Sequence, residues 1–169
     1  MGVTDSKEKE FLMFRGSLEE EIQQYEFRSE YQRAALNLML THNWFKTVMQ
    51  QLLKPFGVTM QQYNVLRILR GMNPKPITTA EIRDRMLDKM SDSSRIVIRL
   101  YDKGLVEKKV NKSDKRLVDV TISKKGLTLL EEMDVFERKM DYEFQGLTEE
   151  ESMQFNQLCE KLRKGPDCQ

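Results

Sequence analysis

Residues 91–126, SDSSRIVIRLYDKGLVEKKVNKSDKRLVDVTISKKG, constrain the fold more than any other stretch. Ser91 is of a type that opens helices, because its hydroxyl can accept from a free amide in the first turn. Ile96, Val97, Leu100 and Tyr101 then recur at helical spacing and mark a buried stripe. Arg95 and Arg99, four apart, share a face away from much of that stripe. Gly104 suits the left-handed residue that ends a helix, and Leu105 can fold back on Leu100. Val106, Lys108 and Val110 alternate with Glu107 and Lys109. Val118, Val120 and Ile122 alternate likewise, the period of half-buried strands. The polar, cationic residues 111–116 between them make a hairpin tip.

A helix followed by a basic-tipped hairpin has two readings. One is a winged helix, with the helix in a major groove and the tip at a neighbouring phosphate or minor groove. The other is a solvated hairpin with ordinary surface charge. These residues alone do not separate the two.

The rest of the chain bears on the choice. Net charge is +1, but residues 83–116 carry eleven Lys or Arg against six Asp or Glu. Residues 131–151 carry nine acidic side chains against two basic ones, so a polyanion would meet the middle of the chain only. A length of 169 residues fits one domain, or one domain with a helical appendage. No stretch reaches the apolar length of a membrane span, and Lys7, Glu8, Lys9 and Glu10 interrupt any apolar leader; a cytoplasmic protein is expected. Cys159 and Cys168 lack metal-ligand spacing, and His42 is the only histidine, so neither a metal site nor a cofactor is expected. No nucleophile–base pair or phosphate-cradling glycine loop suggests an enzyme.

In chain order, Phe11, Leu12 and Phe14 are apolar enough to dock on something. Ser17 with Glu20 is a capping box that starts a helix at Leu18. Residues 29–54 form a long helix, with Tyr31, Leu38, Phe45 and Leu52 on one seven-residue register. Ala35, His42, Met49 and Phe56 occupy a second register, and Ala34, Met39, Val48 and Leu53 widen the stripe. That is more apolar surface than one contact needs, so the helix should meet both its own domain and a partner helix. His42 reads as a satisfied, partly buried side chain. Pro55 and Gly57 end this helix.

Thr59 with Gln62 opens a helix to about residue 70, and Gly71, Asn73, Pro74 and Pro76 make a turn. Thr78 with Glu81 opens a short helix to about residue 87, where Ile77 can staple against Ile82. Two short helices, the second bearing arginines, are a helix-turn-helix. Ser123 caps a long helix to about residue 145, striped by Leu127, Leu130, Met133, Phe136, Met140 and Phe144. Thr148 with Glu151 opens a last helix carrying Met153, Phe155, Leu158 and Leu162, ended by Gly165 and Pro166.

With Leu100, Gly104, Leu105, Val106, Asp114, Arg116, Thr121 and Gly126 at these spacings, residues 30–163 resemble the MarR family of bacterial winged helix-turn-helix transcriptional regulators. Ser93 and Ile98 depart from the pattern, which usually has an apolar residue at the first and often an acidic one at the second. The peroxide-sensing cysteine that some members carry near the first long helix is missing here. The resemblance implies a homodimer on a pseudo-palindromic operator, usually as a repressor. It also implies a small aromatic or anionic effector, in a pocket drawing on Trp44, Phe45, Met49, Phe56, Tyr63 and Arg67.

The expected fold is mainly α with a small β-hairpin wing: a winged helix-turn-helix plus an α-helical dimerisation layer. Residues 1–57 form an N-terminal extension and dimerisation helix, 58–122 the DNA-binding region, and 123–169 the C-terminal dimerisation helices. The expected partner is double-stranded DNA. Ser91, Ser93, Ser94, Arg95 and Arg99 are candidates for the major groove and nearby phosphates, with Thr78, Thr79 and Arg83 at the backbone. Lys112, Lys115 and Arg116 belong to the wing, with Asp114 orienting Arg116. The alternative is a winged-helix protein–protein module without sequence-specific DNA binding.

Overall fold

The computed structural model describes residues 16–166, excluding the side chains of residues 135–137, 139 and 140. The expectations for Phe11, Leu12, Phe14, Phe136, Met140 and Cys168 lie outside that description. The chain divides into two compact units, one up to residue 130 and one from residue 131.

In the first unit, α1 (Leu18–Ile22) precedes α2 (Glu30–Leu53) and a 3-10 turn (Lys54–Phe56) that Gly57 closes with φ 64°. The winged-helix elements follow as α3 (Met60–Met72), β1 (Ile77–Thr78), α4 (Thr79–Arg85), α5 (Ser93–Asp102), β2 (Val106–Val110), β3 (Val118–Ile122) and α6 (Lys124–Glu132). The sheet is antiparallel in the order β1-β3-β2, pairing Ile77 with Val120 and Lys108 with Val120 from either side. The helices begin where the capping chemistry puts them. Ser17, Thr59 and Thr78 each accept from the amide three residues on, and Glu20, Gln62 and Glu81 reach back to close the box.

The core lies between α3, α4, α5 and the sheet. Val65, Leu66 and Leu69 of α3 are buried with Ile77, Ile82, Val97, Leu100 and Val120. Each such side chain contributes about 1.5–3 kcal/mol on leaving water. α5 ends in a Schellman turn: Gly104 has φ 71°, its amide donates to the Tyr101 carbonyl, and the Leu105 amide donates to Leu100.

Several boundaries differ from the sequence reading. The cap of α5 is Asp92, whose carboxylate accepts from the Arg95 amide at 3.1 Å; Ser91 instead donates to Asp88 at 2.6 Å. Both residue types cap well, and with the Ser91 hydroxyl engaged by Asp88 the cap is Asp92. Gly71 lies inside α3 rather than in the turn, and α4 stops at Arg85. Tyr101 is not in the buried stripe; it is half exposed, with the Lys108 ammonium 4.2 Å from its ring centre. Val110 points to solvent, so β2 buries little beyond Val106.

The helix expected to run unbroken from residue 124 to about 145 is interrupted at Met133, and α7 (Asp134–Glu143) follows. Met133 stays in the right-handed region at φ −82°, so no glycine or proline is needed there and the apolar spacing runs through the break. In the second unit α8 (Glu149–Lys164) starts at the Thr148–Glu151 box and ends at Gly165. None of its residues is buried: Met153, Phe155, Leu158 and Leu162 stand exposed along it. On α2, Tyr31, Leu38 and Met39 are exposed as well. His42 is exposed, not partly buried.

Candidate nucleic-acid interface

α5 has two faces of opposite character. Ser93, Val97 and Leu100 are buried, whereas Ser94, Arg95, Ile98 and Arg99 are exposed. Ser93 is therefore not an outward-facing group: its hydroxyl donates to the Thr79 carbonyl at 3.0 Å and ties the start of α5 to the start of α4. Thr78 is also engaged, half-buried, accepting from the Glu81 amide and donating its hydroxyl to the Glu81 carboxylate at 2.9 Å. The Thr78 amide also donates to that carboxylate at 2.8 Å, and this bond first, then the hydroxyl's, holds the Glu81 carboxyl below its ordinary value. Thr79 is half-buried and Arg83 exposed, 3.9 Å from Asp84.

The carboxylates at the leading end of α5 are engaged locally and stay ionised. Asp92 caps the helix and lies 3.4 Å from the Arg95 guanidinium. Asp88 accepts from the Ser91 hydroxyl and the Met90 amide, which pull its carboxyl down from the ordinary value. Arg95 stays four-fifths exposed, so its charge is available to a polyanion.

The wing tip is built by two side chains. Asn111 Oδ1 accepts from the amides of Ser113 and Asp114 at 2.8 and 2.9 Å, and its Nδ2 donates to Asp119 at 2.7 Å. Asp114 accepts from the Arg116 backbone amide at 2.9 Å. Asp114 thus orients the backbone of Arg116, not its guanidinium; the short aspartate reaches its own turn first. The Leu117 amide donates to Asp114 and the Asn111 amide to Leu117, closing the tip. With the tip held from inside, Lys112, Lys115 and Arg116 are all exposed.

A groove of about 800 Å³ opens beside this unit's helices, lined by residues that include His42, Lys46, Lys54, Val58, Asn64 and Met86. None of the six residues expected to form a pocket lines it or the smaller cleft beside the wing. Trp44 and Phe45 stack tilted with ring centres 6.4 Å apart. Met49 is buried, and Phe56 half-buried. Tyr63 is buried and accepts from Arg67 at 3.0 Å. Among the described residues no His, Cys, Asp and Glu group could hold a metal ion, and no helix is long and apolar enough to cross a membrane.

Residues 58–118, from just before α3 to the first residue of β3, match the MarR family. The chain is 30% identical to the HTH-type transcriptional repressor IacR of Pseudomonas putida over 124 residues, 73% of each protein. The chain belongs to the MarR family.

Solved structures of MarR proteins superpose on it. A MarR transcription factor from Planctomyces limnophilus, 30% identical, covers 82% of this chain and 96% of its own with a TM-score of 0.63. The Staphylococcus aureus MepR–DNA complex (24% identity, TM-score 0.69, 82% and 98% covered) shares the fold. So does a mutant of Escherichia coli MarR complexed with operator DNA (23%, 0.71, 82% and 99%). MarR proteins are transcription regulators rather than enzymes.

The structure gives a physical reason for one position of the MarR pattern. A Cβ on Gly126 would run into the Leu105 carbonyl oxygen and come within 2.8 Å of Ile122 Cγ1. Gly126 therefore lets α6 pass close to the turn after α5. Ser123 completes that junction, donating to the Gly104 carbonyl at 2.7 Å and accepting from the Gly126 amide at 3.0 Å. Sequence reasoning overlooked Asn111 and Asp119; the signal was an Asn three residues before an Asp at a hairpin tip. It also overlooked Lys103, which donates to the Gly57 carbonyl at 2.6 Å and braces α5 against the start of α3.

Proposed function

We propose that this MarR protein is a homodimeric repressor that reads a pseudo-palindromic operator through α5 and steadies it through the wing. The observation that carries this reading is the two-faced α5. Its inner face is locked by Val97, Leu100 and the Ser93–Thr79 bond, leaving Ser94, Arg95 and Arg99 outward on a rigid rod. An outward polar face on a fixed helix suits base edges, and the wing cations suit an adjacent phosphate or minor groove. Two copies are supported by the exposed apolar residues of α2 and α8, which one chain leaves in water. A DNA-reading protein of this kind would work in the cytoplasm.

The groove supports a small anionic or aromatic effector. Its wall combines Lys46, Lys54 and His42, against the one carboxylate of Asp88, with apolar Leu53, Val58 and Met60. This reading moves the effector away from Trp44, Tyr63 and Arg67.

The test is recovery of bound fragments from the source genome, followed by titration on the recovered duplex. A solution mass of two chains and preference for an inverted-repeat duplex are expected. A mass matching one 20.0 kDa chain at micromolar concentration, or equal binding to every duplex, would overturn the reading.

A further inference from the structure

The connection between α4 and α5 displays Met90 with 94% of its surface in solvent, more than any other large apolar residue described. The turn that does so is built, not slack. The Asp88 carboxylate accepts from the Met90 amide at 3.0 Å and from the Ser91 hydroxyl at 2.6 Å. One residue before it in the same turn, the Leu87 amide donates to Asn64 of α3 at 3.1 Å, while Met86 is buried beneath. Asp92 then caps α5 and engages Arg95. The backbone of Met90 is therefore held two residues ahead of the α5 cap, beside two carboxylates that are hydrogen-bonded within the chain.

An ordered turn that holds a long apolar side chain in water loses the stability that burial would give. Around this turn the exposed cations Lys89, Arg95 and Arg99 outnumber the exposed carboxylates Asp88 and Asp92, a small positive balance toward a polyanion. On a duplex, the N-terminal end of such a helix faces base edges. The apolar group that the major groove presents there is the C5-methyl of thymine. An unbranched thioether adapts to such a shallow contact better than a stiff branched chain.

We propose that Met90 is a specificity residue that packs against a thymine methyl in each half-site. The inference rests on the DNA-binding reading above. It needs no hydrogen bond, so it adds a preference that Ser94, Arg95 and Arg99 do not supply.

The experiment uses the full chain and the tightest duplex recovered from a randomised pool. Each thymine is replaced in turn by deoxyuridine, which removes the methyl and leaves every hydrogen-bonding group. With the wild-type protein, one thymine in each half-site should cost about four-fold in affinity, the worth of burying one methyl group. With Met90→Gln that loss should vanish, because the contact is already gone. Met90→Leu should keep it. If wild type and Met90→Gln respond alike to deoxyuridine, or no thymine matters, the proposal is overturned while the DNA-binding reading stands. If Met90→Gln weakens binding equally on both duplexes, the side chain meets sugar or protein, and the thymine contact is again excluded. A wild-type protein that enriches no sequence from the pool overturns both.

Discussion

The Ser93 hydroxyl donates to the Thr79 carbonyl across 3.0 Å, joining the first turns of the two helices of the helix-turn-helix. The bond ties the start of α5 to α4, while the buried Val97 and Leu100 fix how its exposed face is aimed. Ser93→Ala should cost about 1 kcal/mol of stability, the net worth of one such bond. Thermal denaturation checks it. DNA affinity well below the melting temperature should change little, because Val97 and Leu100 still anchor α5.

Gly126→Ala should destabilise the protein by about 1–3 kcal/mol, although alanine favours helices. The added methyl meets backbone at Leu105, which cannot swing aside as a side chain can. Urea denaturation of the variant beside Gly71→Ala makes the comparison. Nothing lies within 4 Å of a Cβ at Gly71, which is helical, so that change should be neutral or stabilising.

Gly126 was legible at the start of a helix, whereas Gly71 reads as a turn residue and lies inside α3. The four capping boxes were legible because each is a fixed spacing of two residue types, and all four open helices. Gly104 was legible because its left-handed φ has one cheap occupant. Ser93 was not: a serine in a helix reads as surface, and only the approach of α4 makes its burial useful. The strand β1 is two residues long, too short to show any period. The groove is lined from α2, from the start of α3 and from the turn after α4, so no local pattern announces it. The exposed arginines of α5 and the wing cations were legible as charge, but the backbone role of Asp114 depends on turn geometry.

Glu81 supplies a pH test. Its folded-state carboxyl is held below the ordinary 4.5, first by the Thr78 amide and then by the Thr78 hydroxyl. A depressed carboxyl contributes stability that is present above its unfolded value and lost as pH falls through its folded one. Wild type should exceed Glu81→Gln in stability at pH 6, and the gap should close below about pH 4. Denaturant midpoints across that range read the difference, in which the other carboxylates cancel.

Cys159 is half-buried on α8, far in sequence from the reading helix. Replacing Cys159 and Cys168 together by serine should leave DNA affinity unchanged, with or without mild peroxide. Release of the wild type by peroxide, with the double variant retained, would show that the cysteines are not incidental.

On the proposed reading, α5 and the wing form one DNA surface with a division of labour. Its most direct test is a binding titration of wild type, Arg95→Ala and Arg116→Ala on operator and scrambled duplex at several salt concentrations. Arg116→Ala should weaken operator binding by about 1–3 kcal/mol per contacting wing and flatten the salt slope while keeping most of the sequence preference. Arg95→Ala should instead erode preference within the half-site. Arg116→Ala binding operator as tightly as wild type, with fold and dimer intact, would contradict the account and favour a winged helix that meets protein rather than DNA.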